Sequence, residues 1–290
     1  MDGILVINKE SDYTSRDIVN IVSKELKTKK VGHTGTLDPM ATGVLVLCIG
    51  KATKLVDVIT SSYKEYEAEI TLGLLTDTLD ITGNIIKEDI KDIKDEQIIN
   101  IVNSMKGTYE QEVPIYSAVK INGKKLYEYA RNNEKIALPK RMVEIKEISL
   151  ISPINRVNNR IIFSIRTTVS KGTYIRSLVN DIASKLDTVG VMSKLNRTKQ
   201  GNFDIKDSYT LDDIKKGNYK LFDLYLALSD FYSITVDKNL EKKIINGVKI
   251  PNIYNKEYVL FKNKKEVLAL YKVDENDNSI LRVYKMLGGK

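Results

Sequence analysis

Apolar and polar positions along this chain follow two rhythms. "GILVINK" (3–9) is a nearly unbroken apolar run, which predicts a short buried strand. In "TSRDIVNIVSKELK" (14–27), Ile18, Ile21, Val22 and Leu26 recur at helical spacing behind Thr14 or Ser15, either of which can cap a helix. Beyond the loop "GHTGTLDPMATG" (32–43), "VLVLCIG" (44–50) predicts a second buried strand. "KATKLVDVIT" (51–60) follows as a short helix with Leu55, Val58 and Ile59 inward. "YKEYEAEITLG" (63–73) alternates: Glu65, Glu67, Glu69 and Thr71 share one face, and Tyr66, Ala68, Ile70 and Leu72 the other. That is a half-buried strand. "TDTLDITGN" (76–84) has turn chemistry. "DEQIINIVNSMK" (95–106) predicts an amphipathic helix capped by Asp95, and "KKLYEYARNN" (124–133) a shorter one. "RIIFSIRTTVS" (160–170) alternates again and runs through "KGT" into "YIRSLVNDIASKL" (174–186). There Ile175, Leu178, Val179, Ile182 and Leu186 form a helical stripe.

The pattern changes near Ser233. "NLEKKIING" (239–247) predicts a short helix; "EYVLFK", "EVLALYKV" and "ILRVYKM" predict three strands separated by "NKK" and "DENDN". No repeat is visible. Helices mixed with alternating strands predict an α+β fold with a central, largely antiparallel sheet, rather than a βαβ winding. We divide the chain into a large domain, 1–232, and a small β-rich one, 233–290.

Composition narrows the function classes. With 42% hydrophobic and 29% charged residues over 290 positions, the chain can bury a real core. No run of about 18 apolar residues predicts a membrane span. "MDGILVINKE" lacks the basic and long apolar regions of a signal peptide, so a cytoplasmic location is expected. A single cysteine, Cys48, excludes an intramolecular disulfide and a cysteine zinc site. The net charge of +8 and pI of about 9.1 suit a polyanionic partner. Only nine of the 46 basic residues are arginine, which makes those few the ones to follow.

The loop 32–43 holds the chain's only histidine, His33, and Asp38 before Pro39. A phosphate loop needs G-x-x-x-x-G-K-[ST], and a dinucleotide site needs G-x-G-x-x-G between strand and helix; neither spacing is present. One histidine and no usable cysteine leave only oxygen ligands for a metal, and no G-x-S-x-G elbow marks a serine nucleophile. Asp38 is an Asx-turn residue, a helix cap or, tethered beside a fully apolar strand, a partly desolvated carboxylate.

"GHTGTLDPMATGVLVLCIGKATKL" resembles the signature of the TruB family of pseudouridine synthases. "KEYEAEITLGLLTDTLDITG" (64–83), "PIYSAVKINGKKLYEYAR" (114–131), "SKGTYIRSLVNDI" (170–182) and "LNRTKQGNF" (195–203) resemble its further blocks. The resemblance is strong over about 3–230 and weak over 235–290. It implies the pseudouridine synthase fold, a central mixed and largely antiparallel sheet flanked by helices, with a small C-terminal PUA-like domain that binds RNA. It implies isomerisation of uridine 55 in the T-loop of tRNA to pseudouridine, after the base is flipped out, with no cofactor and no metal. The same fold could instead carry a catalytically silent RNA-binding protein. Asp38 matches the family's catalytic aspartate, and Arg176 the arginine that pairs with it and holds it ionised. Tyr66 matches the tyrosine that stacks on the target base, Tyr174 and Leu195 line the base pocket, His33 props the opened loop, and Lys9 lies beside the pocket. The loop's glycines are expected to admit close approach of RNA. The chain departs from the family at Glu10, Asp12 and Asn196, where proline, glycine and arginine are usual. The partner expected is the T-arm of tRNA, for a monomer that needs no membrane and no obligatory protein partner.

Overall fold

The two apolar runs pair with each other. In a computed structural model that describes residues 1–89 and 91–289, strand Gly3–Lys9 lies antiparallel to Thr42–Ile49, from Gly3 opposite Ile49 to Lys9 opposite Gly43. Their lack of alternation has a direct cause. Leu5 and Ile7 enter one core, and Ile4 and Val6 enter another on the opposite face. A strand covered on both faces has no reason to carry polar positions.

These strands open the main sheet. Its order is Gly3–Lys9, Thr42–Ile49, Gly190–Gln200, Lys64–Leu72, Arg160–Val169, Lys140–Leu150 and Gly107–Glu112. Neighbours along it are antiparallel, except that Thr42–Ile49 and Gly190–Gln200 run parallel. On one face lie the helices Ser15–Glu25, Asp95–Ser104 and Ile175–Lys185. Thr14 caps the first: its Oγ1 accepts from the Asp17 N–H at 3.1 Å, and its own N–H donates to the Asp17 carboxylate at 2.9 Å.

Lys64–Leu72 is the sheet's central strand. Tyr66, Ala68, Ile70 and Leu72 enter the helix-covered core as the alternation predicts. Glu65, Glu67 and Glu69 face outward, bonded by Thr198, Arg166 and Lys194 respectively. Thr71 departs from its face's polar exposure: it is buried, its hydroxyl donating to Ser193 at 3.0 Å.

Two further expectations need correction, and three strands lie outside the pattern. The 51–60 segment is a 3₁₀ turn, Gly50–Leu55, followed by a helical turn, Val56–Thr60. Asp95 is not a cap; Lys94 holds that position, its N–H donating to Gln97, while Asp95 pairs with Arg156 at 2.6 Å. Strands Gly107–Glu112, Lys140–Leu150 and Gly190–Gln200 do not show in the apolar pattern. The last carries register shifts at Met192/Lys194 and Arg197/Lys199, which break its period of two.

A second, five-stranded sheet runs from Ser233 to Met286, with Ser233–Thr235 and Ile250–Pro251 added to the three strands that the pattern predicts. Leu260, Val267, Leu270 and Leu287 share a core with Ile4, Val6, Val44, Val46 and Cys48. Lys285 pairs with Asp57 at 2.7 Å, and Lys51 donates to the Gly289 carbonyl at 2.8 Å. The second sheet therefore covers the far face of the first at its Gly3–Lys9 and Thr42–Ile49 strands. Burial in that shared core pushes the Cys48 thiol up to about 12.

Candidate active site

The 32–43 loop is held at almost every turn. The Thr34 N–H donates to the Val46 carbonyl at 3.1 Å, and Gln200 donates to the Thr34 carbonyl and hydroxyl. The Leu37 N–H donates to Ser15 Oγ at 2.9 Å. Two donors meet on the Pro39 carbonyl, the Asp12 N–H at 2.9 Å and Lys9 Nζ at 3.1 Å. Asp38 is thus fixed from both sides. Asp12, standing where the family has glycine, adopts φ +70°, a left-handed conformation that Asp tolerates better than most residues.

Gly43 corrects the expectation that this glycine serves the RNA. At φ +97°, a Cβ there would lie 2.3 Å from the Arg197 carbonyl oxygen and 2.4 Å from Asn196 Oδ1. It is required where two parallel strands meet. Asn196 Oδ1 also accepts from the Thr42 hydroxyl at 3.2 Å.

Asp38 opens into a cleft of about 590 Å³, lined also by His33, Tyr66, Ser117, Tyr174, Arg176 and Leu195. Arg176 lies in the first turn of its helix, 5% exposed. Its Nε is 3.0 Å from Asp38 Oδ2, and Nη2 donates to Asp38 Oδ1 at 3.3 Å. The remaining guanidinium donors reach the Thr78 carbonyl at 3.1 Å and the Tyr116 carbonyl at 3.0 Å, with Asp80 Oδ2 3.9 Å away. One buried cation thus stands between two carboxylates.

By pattern alone Asp80 belongs to a turn. Its Oδ1 accepts from the Thr78 hydroxyl (2.8 Å), the Thr82 hydroxyl (2.6 Å) and the Thr82 N–H (3.0 Å). The spacing T-x-D-x-T was the available signal: a carboxylate flanked by two hydroxyls at ±2 can be held in a fixed orientation.

Arg176 was expected to hold the Asp38 carboxyl low. The balance goes the other way. Burial raises it above the ordinary range, Arg176 opposes, and Asp80 adds to the rise. The Asp38 side chain keeps 34% of its surface, the face it turns to the cleft. A carboxylate shed of part of its hydration, aimed by a fixed guanidinium and open to a pocket, suits attack on, or stabilisation of, an electron-poor carbon.

The other residues divide. Tyr66 and Leu195, 7% and 8% exposed, are core residues with one edge on the cleft. Tyr174 is clamped by Gln111, which accepts from its N–H at 2.8 Å and donates to its carbonyl at 3.2 Å. Gln111 in turn donates to the Tyr109 hydroxyl, which donates to Asp181. His33 stands on the cleft, its pKa lowered by burial and then by Arg16 and Arg197, so the ring is neutral at pH 7. Lys9 does not line the cleft: it is fully buried, and its ammonium donates to the carbonyls of Glu10 and Pro39. Its reach to the site is through the Asp38–Pro39 backbone. Burial pulls its pKa down to about 8.

Arg197, 1% exposed, donates to the carbonyls of Val44 (2.6 Å) and Gly35 (3.1 Å), and lies 3.5 Å from the Tyr66 hydroxyl. It braces the loop and the tyrosine together.

Comparison with known proteins gives the family. Residues 23–175 match the model of the TruB family pseudouridylate synthase N-terminal domain, and 176–224 that of the tRNA pseudouridylate synthase B C-terminal domain. The chain is 43% identical to tRNA pseudouridine synthase B of Staphylococcus aureus strain MSSA476, over 98% of this chain and 94% of that one. The chain belongs to the TruB family. It is an enzyme of the pseudouridine synthase class. Among solved structures, a Cbf5–Nop10–Gar1 complex contains a chain that matches with a TM-score of 0.74 at 22% identity, covering 99% of this chain and 85% of that one. A chain in an H/ACA RNP bound to a substrate RNA containing 2′-deoxyuridine gives 0.73 at 21%, with the same coverage. At that identity the likeness shows the fold, which is the pseudouridine synthase fold with a C-terminal PUA-like β domain. The TruB-family blocks meet at one place: Asp38 from the first, Tyr66 and Asp80 from the second, Ser117 from the third, Arg176 from the fourth and Leu195 from the fifth.

Proposed function

We propose that this chain converts uridine 55 in the T-loop of tRNA to pseudouridine, with Asp38 as the catalytic carboxylate. The observation that carries the reading is the contact between the cleft-facing Asp38 carboxylate and the buried Arg176 guanidinium. The target base leaves its stack and enters the cleft, at a cost of a few kcal/mol. Tyr66 stacks on it and Tyr174 and Leu195 border it; stacking contributes about 1–3 kcal/mol. The C1′–N1 bond breaks with its electron pair passing to uracil. Asp38 meets the positive charge left on the sugar by covalent addition at C1′, or takes the C2′ proton to give a glycal and returns it as the new bond forms. The base turns, C5 joins C1′, the C5 proton is lost and N1 gains one, so the isomerisation balances with no cofactor or metal. His33, neutral and on the cleft, fits a prop for the opened loop better than an acid.

The chain acts in the cytoplasm as a monomer with tRNA as its only obligatory partner. Residues 1–232 form the catalytic domain and 233–290 the RNA-binding domain. Lysines set over tyrosines support the second role: Lys262 over Tyr225 at 3.8 Å and Lys272 over Tyr258 at 5.7 Å. Such interleaving offers charge to phosphates and rings to bases.

The test is tritium release from 5-tritiated uridine in unmodified tRNA, comparing wild type with Asp38→Asn. Wild type should release tritium; the variant should bind tRNA within several-fold of wild type and release none. A wild-type protein that binds tRNA and releases nothing would be a silent RNA-binding protein instead.

A further inference from the structure

Most of the strong donors on the cleft are already committed to the protein. Arg176 is occupied by Asp38, Thr78 and Tyr116. Lys64 donates to the carbonyls of Thr60 and Ser62, and Arg197 to those of Val44 and Gly35. The Thr173 hydroxyl donates to the Ser170 carbonyl. One donor differs. Ser117 is 6% exposed and lines the cleft, yet its Oγ is buried without a hydrogen-bond partner among the described residues.

Its backbone is fully engaged. The Ser117 N–H donates to the Ile115 carbonyl at 2.9 Å, and the Ser117 carbonyl accepts from the Tyr127 N–H at 3.2 Å. The residue before it, Tyr116, gives its carbonyl to Arg176 at 3.0 Å. Ser117 is therefore held rigidly, one residue from the guanidinium that aims Asp38, with only its hydroxyl free. A buried, unpaired hydroxyl destabilises the fold. Alanine would fill the position without that cost, so packing does not account for serine.

We propose that the Ser117 hydroxyl is a catalytic residue that donates a hydrogen bond to a carbonyl oxygen of the uracil while the base is detached. The inference rests on the activity proposed above. When C1′–N1 breaks, the departing electron pair delocalises over N1 and the two carbonyl oxygens. Such a donor, turned to the seated base by rotation about the Ser117 Cα–Cβ bond, stabilises that charge more than it stabilises the neutral base. A hydroxyl can also rotate to follow a turning base, as an amide or guanidinium cannot.

The experiment compares wild type and Ser117→Ala on T-arm stem-loops with uridine, 2-thiouridine or 4-thiouridine at the target position, in single-turnover rates and binding. Sulfur is a poor acceptor, so one thio substrate removes the contact from the RNA side. On uridine, Ser117→Ala should be about 10- to 100-fold slower, with stem-loop affinity within threefold. Its melting midpoint should equal or exceed wild type, because an unpaired buried hydroxyl has gone; a structural role for Ser117 would lower it. On one thio substrate the gap between variant and wild type should shrink to less than threefold. A variant within threefold of wild type on uridine, a defect equal on all three substrates, or a lowered melting midpoint would overturn the inference. Wild type failing to convert the uridine stem-loop would instead sink the underlying activity, and this inference with it.

Discussion

Replacing Arg176 by methionine keeps the side chain's length and apolar stem and deletes the cation. It leaves Asp38 and Asp80 facing each other with nothing between them, and strips the carbonyls of Thr78 and Tyr116 of a donor. Removing one partner of a buried ion pair costs about 3–5 kcal/mol. Asp38 keeps a third of its side-chain surface in solvent, so the lower end of that range applies, about 3 kcal/mol. If that loss falls on the transition state, the rate drops about 150-fold. The pH dependence carries the sharper signature. Burial and Asp80 already raise the Asp38 pKa, and Arg176 is the group that opposes them. Deleting it pushes the pKa further up, and a reaction that needs the carboxylate then fails at a higher pH on the acid side. Folding shows the mirror image. A carboxyl whose folded pKa exceeds its unfolded one weakens the fold as pH rises through the folded value, so the variant's stability deficit should shrink on acidification. Single-turnover tritium release from pH 5 to 9 and urea unfolding across the same range measure both. An acid limb that does not move, or a rate within tenfold of wild type, would refute the reasoning.

Asp80→Asn should move that limb the opposite way, to lower pH, because Asp80 raises Asp38; we expect a rate loss of about tenfold, read in the same pH series. Gly43→Ala, whose Cβ would lie 2.3 Å from a backbone oxygen, should destabilise the fold by more than about 3 kcal/mol or abolish soluble expression, measured by urea unfolding. Lys262→Gln combined with Lys272→Gln should weaken whole-tRNA binding several-fold and flatten its log–log salt dependence by about 1 for each phosphate no longer neutralised, while conversion of an isolated T-arm stem-loop is unchanged. These point changes test the C-terminal sheet better than its deletion, which would uncover Ile4, Val6, Val44 and Val46.

Reading the sequence located elements wherever one local rhythm governed the burial of one face. The Lys64–Leu72 strand and the Ile175–Lys185 helix are of this kind, and both stand where the alternation or the stripe put them. It missed Gly190–Gln200, which joins the two halves of the sheet, because two register shifts erase its period. It could not separate Asp38 from an ordinary Asp–Pro turn by pattern; resemblance to a family did that.

The chain's own order of residues thus determined which segments hide apolar surface and which loops carry rare, chemistry-bearing side chains. Only the tertiary structure decided what those side chains are to one another. Asp38 and Arg176 stand 138 residues apart in sequence and 3.0 Å apart in space. Asp80 became a partner of the site, Lys9 a buried brace beneath it, and the Ser117 hydroxyl a donor left without a partner among the described residues. The reason is physical: burial, charge pairing and hydrogen-bond satisfaction depend on distance through the folded core, and distance along the chain does not measure it.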